Sequence, residues 1–155
     1  MSAVILWPAR FGAGGVLHDP WHVVDIMPTL LEAAGASYPT EIGGHPIQPC
    51  DGESFLASLE GHTQQRQQPI YWEHEGNAAV RVGDFKLVRR YGQDWELFDM
   101  DADRTELHNL AGRNAPLETQ LKREYHGWAD RVGVMDWSRA WPLLQVAWGL
   151  DDVSG

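Results

Sequence analysis

The stretch from Ile70 to Phe98 leaves little choice of fold. Ile70-Tyr71-Trp72 is strand-like, and so is Ala78 to Val82, where Ala78, Val80 and Val82 alternate with Ala79 and Arg81. Gly83-Asp84 marks a tight turn. Phe85 to Arg90 reads as a third strand and Trp95 to Phe98 as a fourth. Short strands separated by turn signals describe an antiparallel meander. Pro116 then opens a long helix whose Leu117, Leu121, Tyr125, Trp128 and Val132 share one face, a core stripe. Gly127 weakens that helix by about 1 kcal/mol relative to alanine. The expected fold class is α+β: a four-stranded antiparallel sheet with a packed C-terminal helix.

The residues before this meander have another character. Ala3 to Trp7 is a continuous apolar run, which predicts a strand buried on both faces. A helix follows from Val24 or Asp25 to Gly35, with Asp25 as its cap and Met27, Leu30, Leu31 and Ala34 on one face. Residues 36–50 read as a loop. Asp51 is placed to cap a short helix that turns Phe55, Leu56 and Leu59 inward and stops at Gly61. The glutamine-rich segment from His62 to Pro69 reads as a polar connection. The predicted organisation is therefore a strand-helix region over 1–62, a small antiparallel-sheet domain over 63–136 and a tail over 137–155. That tail holds Trp137, Trp141 and Trp148 without clear periodicity.

Composition limits the function classes. At 155 residues the chain is one domain, or one and part of another. Twelve Lys and Arg stand against 22 Asp and Glu, a net charge of -10, so a phosphate backbone is repelled and nucleic acid is not an expected partner. No apolar run approaches the roughly 18 residues that span a membrane. Met1-Ser2-Ala3 brings no basic segment, so no secretory signal is expected. A single cysteine, Cys50, excludes an internal disulfide and any multi-cysteine zinc site.

Four segments bring a family into view. They are H-V-V-D-I-M-P-T-L-L-E-A-A-G from His22, D-G-E-S-F-L from Asp51, Y-W-E-H-E-G-N-A-A-V-R-V-G-D-F-K-L-V from Tyr71 and W-E-L-F-D-M-D-A-D-R-T-E-L-H-N-L-A from Trp95. In this order and spacing they resemble the C-terminal part of arylsulfatase-type, formylglycine-dependent sulfatases, over residues 3–137. The resemblance implies that residues 1–62 are a strand-helix remnant of the large α/β sulfatase domain. It implies that Tyr71 to Val132 is almost the whole small domain.

The resemblance also implies sulfate ester hydrolysis by a formylglycine made from a C-x-P-S-R motif, with calcium neutralising the sulfate oxygens through Asp and Asn ligands. Neither is expected within this chain. Cys50 sits in Pro49-Cys50-Asp51-Gly52-Glu53, which is not that motif, and Ser138-Arg139-Ala140-Trp141-Pro142 has similar letters in the wrong order. The metal-binding aspartates and the catalytic lysine belong to segments that precede Ala3 in the family pattern. Formylglycine and calcium are thus expected only in a complete sulfatase, no catalytic residue carries over, and the chain is expected to be inactive by itself. The alternative is a stand-alone oligomeric module for interaction or ligand binding.

One loop carries a site expectation. His74-Glu75-Gly76-Asn77 joins two strands, and the resemblance implies that His74 and Asn77 line the substrate mouth of a complete enzyme. The other reading is a hairpin turned by Gly76-Asn77 and capped by His74. Asp99-Met100-Asp101-Ala102-Asp103 imitates the start of a calcium loop. Arg104 and Leu110 stand where that loop needs Gly and Glu, so a turn is expected. His18 and His22 lack a third zinc ligand.

Partners follow from a magnitude. Full burial is worth about 1.5–3 kcal/mol per large apolar side chain, so Val4, Ile5, Leu6 and Trp7 left exposed forfeit roughly 6–12 kcal/mol. Domain stability is typically only about 5–15 kcal/mol. The run is therefore expected to pair with another copy, to insert into a partner or to pack onto its own small sheet, with self-association the leading expectation; the resemblance implies a missing N-terminal sulfatase part as the other partner.

Overall fold

A 3-10 turn at Val23–Asp25 leads straight into helix α1 (Ile26–Ala33). Asp25 does not act as the simple cap that the sequence suggests. Its carboxylate is fully buried at 0% exposure and accepts the backbone N–H of His22 at 2.7 Å, the N–H of Glu53 at 3.0 Å and Arg66 Nη1 at 2.5 Å. Thr29, one turn on, donates to the Asp25 carbonyl and accepts the Phe55 N–H at 3.1 Å. One face of α1 is thereby stitched to the segment Glu53–Phe55. A charge buried this deeply needs a partner, and Arg66, 8% exposed, supplies it.

The same stitching explains Gly52. A Cβ there would overlap the backbone of Val24 and Asp25, so the two segments can pass this closely only at glycine. Helix α2 (Leu56–Leu59) follows. It begins beyond Asp51, which is not its cap. Phe55, Leu56 and Ser58 are buried, and Trp21 packs on Phe55 with ring centroids 5.1 Å apart. Within residues 36–50, β1 (Glu41–Ile42) and β2 (His45–Pro46) pair as a two-residue hairpin.

The structure is a computed structural model that describes residues 3–12 and 14–149. In it, residues 4–7 are not a strand. Among the described residues they pair with no sheet, and Val4 and Leu6 are 98% and 86% exposed. A strand buried on both faces exists only where neighbours supply hydrogen bonds and cover, and no described strand lies beside this run.

The chain divides into two compact units, the first ending at Gln68 and the second beginning at Pro69. The division falls within the polar connection from His62 to Pro69: Glu53 accepts the backbone N–H groups of Gln67 and Gln68, each at 2.9 Å, and Arg66 reaches Asp25. The polar connection thus closes the first unit.

The second unit is the meander. Strands β3 (Ile70–His74), β4 (Asn77–Val82), β5 (Phe85–Arg89) and β6 (Glu96–Asp99) lie in chain order, all antiparallel. The register sets Tyr71, Val80, Leu87 and Leu97 abreast on one face. Helix α3 (Ala115–Val132) covers that face with Leu121, Tyr125 and Ala129. Asn114 caps it by accepting the Leu117 N–H. Tyr71 and Trp128 stack in parallel, 4.9 Å between centroids. Val132, expected on the core stripe, is exposed, while Ala129 and Val134 on either side of it pack on the core.

Residues 99–108 form a turn. Asp99 accepts the N–H groups of Asp101 and Ala102, and Asp103 accepts those of Leu107 and His108. The described part of the tail is regular: helix α4 (Trp137–Ala147), capped by Asp136, runs through Pro142.

Candidate functional site

The β3–β4 loop is a tight turn held from both sides. Glu75 and Gly76 have φ of 53° and 79°, so the chain turns through the left-handed region twice in succession. Gly76 donates its N–H to Glu73 at 2.9 Å. The Asn77 amide is committed at both ends. Its Nδ2 donates to the His74 carbonyl at 2.8 Å, and its Oδ1 accepts the Tyr91 N–H at 3.1 Å. A Cβ at Gly76 would lie 2.5 Å from the Tyr91 ring and 2.8 Å from the Trp137 Cβ, so the turn sits wedged between β5's exit and the start of α4.

His74 is arranged differently. Its imidazole is 79% exposed and has the Glu75 carboxylate 3.8 Å away. The two expected residues thus have separate roles. Asn77 holds the hairpin, while His74 presents a ring to solvent. An exposed imidazole beside a carboxylate can hydrogen-bond a polar ligand.

Aromatic and charged groups surround the covered face. The Arg89 guanidinium stacks over Trp95 at 4.8 Å, and Trp95 meets the Tyr125 ring edge-on at 5.4 Å. Burial pushes the Tyr125 phenol up, Glu73 adds to the effect, and Arg89 opposes it. The hydroxyl and backbone N–H of Ser138 hold the Asp136 carboxyl below its ordinary value. In the first unit, burial holds the His22 imidazole down. Asp25 opposes that shift and Arg66 adds to it.

Calcium does not fit these residues. Among the described residues no three His, Cys, Asp or Glu side chains converge on one point, and Asp99, Asp101 and Asp103 belong to a turn. Cys50 is a free, half-buried thiol. The buried Asp25–Arg66 pair escaped the sequence reading. Arg66 lies among glutamines, and nothing in its neighbours announces a partner 41 positions away.

Comparison with known proteins identifies the class. The chain is 30% identical over 125 residues to an N-acetylglucosamine-6-O-sulfatase of Bacteroides thetaiotaomicron, covering 73% of this chain and 21% of that protein. It is 32% identical over 144 residues to an uncharacterised sulfatase of Schizosaccharomyces pombe, covering 86% of this chain and 25% of the relative. The crystal structure of Ps i-CgsB superposes with a TM-score of 0.65 at 28% identity, over 79% of this chain and 27% of that one. The model of the family described as N-sulphoglucosamine sulphohydrolase, C-terminal, matches residues 1–131, and the chain belongs to that sulfatase family. It spans about a fifth to a quarter of the length of these relatives. Helix α4 lies outside the matched residues.

Proposed function

We propose that the chain is the C-terminal part of a sulfuric ester hydrolase whose formylglycine and calcium site are supplied by residues outside these 155. By itself it does not hydrolyse sulfate esters. The match of a sulfatase C-terminal family over residues 1–131 carries this reading. It is supported by a sequence without C-x-P-S-R. In the assembled enzyme His74 faces the substrate mouth, and Asn77 shapes the loop that presents it. The test is release of an aryl alcohol from an aryl sulfate in the presence of calcium. The chain is assayed alone and together with the sequence encoded immediately upstream. Turnover only in the second case supports the reading. His74→Ala should then raise KM with little change in kcat.

A second reading rests on α4. This helix exposes Trp141, Trp148 is exposed at its C-cap, and the helix has no buried residue, which suits a module that binds a partner or ligand through its aromatic side chains. Specific binding that Trp141→Ala abolishes, with no turnover under either condition, would favour it.

A further inference from the structure

The turn that presents His74 is strained. Glu75 takes a φ of 53°, a left-handed conformation that is costly for a residue with a Cβ, and Gly76 follows at 79°. Such a backbone persists where its surroundings hold it in place. Two hydrogen bonds do part of this: the Gly76 N–H donates to Glu73, and Asn77 Oδ1 accepts the Tyr91 N–H. Packing does the rest. A Cβ added at Gly76 would meet the Tyr91 ring and the Trp137 Cβ, so both residues stand directly against the Gly76 backbone. Trp137 is itself fixed as the first residue of α4. Asp136 accepts the Ser138 N–H at 2.9 Å there, and the Trp137 and Trp141 rings lie 5.6 Å apart at 34°. Arg89, on the strand that leads to Tyr91, bears on the Asp136 carboxylate. The core beneath α3 is built without Trp137, so the packing of the meander does not account for this contact. Helix α4 also lies beyond the residues that the family model matches.

We propose that Trp137 is a positioning residue: it braces the Glu75-Gly76 turn and so holds the His74 imidazole where it meets substrate. This inference rests on the function proposed above and deepens it, because it makes a helix outside the family match part of the substrate mouth. The His74 ring is 79% exposed, so its position follows the backbone of the turn. A turn that wobbles spreads the imidazole over many positions, and substrate binding must then gather it into one.

The test has two parts. In the full chain alone, W137A should speed amide exchange at Gly76 and Tyr91 by about fivefold or more, the factor that one hydrogen bond of ordinary net strength makes. Exchange at Leu97, which bonds to Asn109 within the meander, should stay unchanged, and W137F should behave like wild type. Unchanged exchange at Gly76 and Tyr91 in W137A overturns the brace. The second part measures aryl sulfate turnover with calcium by the chain together with the sequence encoded immediately upstream. W137A should raise KM about as much as H74A does, with little change in kcat, and W137F should restore it. W137A/H74A should raise KM no further than H74A alone, because the two residues act as one. L143A, on an exposed position of α4, should leave KM unchanged. KM effects of W137A and H74A that multiply would show that Trp137 does not act through His74 and overturn the positioning role alone. Absence of turnover by the wild-type pair, with exchange at the turn accelerated in W137A, overturns the proposed activity and leaves the brace standing.

Discussion

Replacing Arg66 by methionine removes the cation but keeps much of the volume. What remains is the Asp25 carboxylate at 0% exposure, with two backbone N–H donors at 2.7 and 3.0 Å and no counter-charge. Breaking one side of a buried pair costs about 3–5 kcal/mol, because the surviving charge stays desolvated. The smaller losses are the contact with Glu53 at 3.5 Å and the stacking of Arg66 over Trp21 at 5.9 Å, the latter worth about 0.5–1 kcal/mol. Against a typical total of about 5–15 kcal/mol, the first unit should open readily. Hydrogen exchange at the Glu53 and Phe55 amides reads this directly, since they bond to Asp25 and Thr29. D25N/R66M should recover about 1–3 kcal/mol of the loss, since no orphaned charge remains. A change below about 1 kcal/mol in R66M, or a double variant no better than the single, would refute the idea that charge pairing organises this unit.

Gly52→Ala should destabilise the first unit by about 1–3 kcal/mol, as overpacking does; the overlap is with the Val24 backbone, which no rotamer relieves, and urea unfolding checks it. Leu121→Ala should cost about 2–5 kcal/mol, because the side chain is fully buried under the meander, and urea unfolding followed at the meander checks it. Burial would push the Asp103 carboxyl up, but hydrogen bonds from the His108 backbone, the Thr105 hydroxyl and the Leu107 backbone outweigh it and hold it below the ordinary 3.8. Its stabilisation of the 99–108 turn is therefore complete above about pH 3.8 and lost as pH falls through its lowered value; Asp103→Asn should flatten that dependence in amide exchange. His22 is also held low, so the first unit should be at full strength above about pH 6.5 and weaken as pH falls below it, an effect that His22→Gln should remove from the pH-stability profile.

The meander was legible because its signals are local. Alternation through Ala78, Val80 and Val82 and the turn at Gly83-Asp84 fix β4 and β5 without reference to the rest of the chain. The stripe from Leu117 to Trp128 did the same for α3. The first unit was harder, because its order depends on distant pairs. Asp25 looked like a helix cap, and Arg66 looked like solvated linker. Only the fold brings them together. The run Val4 to Trp7 misled for the opposite reason: its residues suit a strand, but strand formation needs neighbours, and no described strand pairs with it. At the candidate site the sequence marked the loop, while the division of labour between His74 and Asn77 required the hydrogen bonds of the turn. Helix α4 was missed because Pro142 and scattered tryptophans mask its period.

The central claim is that the chemistry resides outside this chain and the chain completes it. The direct measurement is calcium-supplemented hydrolysis of an aryl sulfate by the pure 155-residue chain, then by the chain with its upstream sequence. No release above buffer from the chain alone, and release from the pair, is the predicted result. Steady turnover by the pure chain would contradict it.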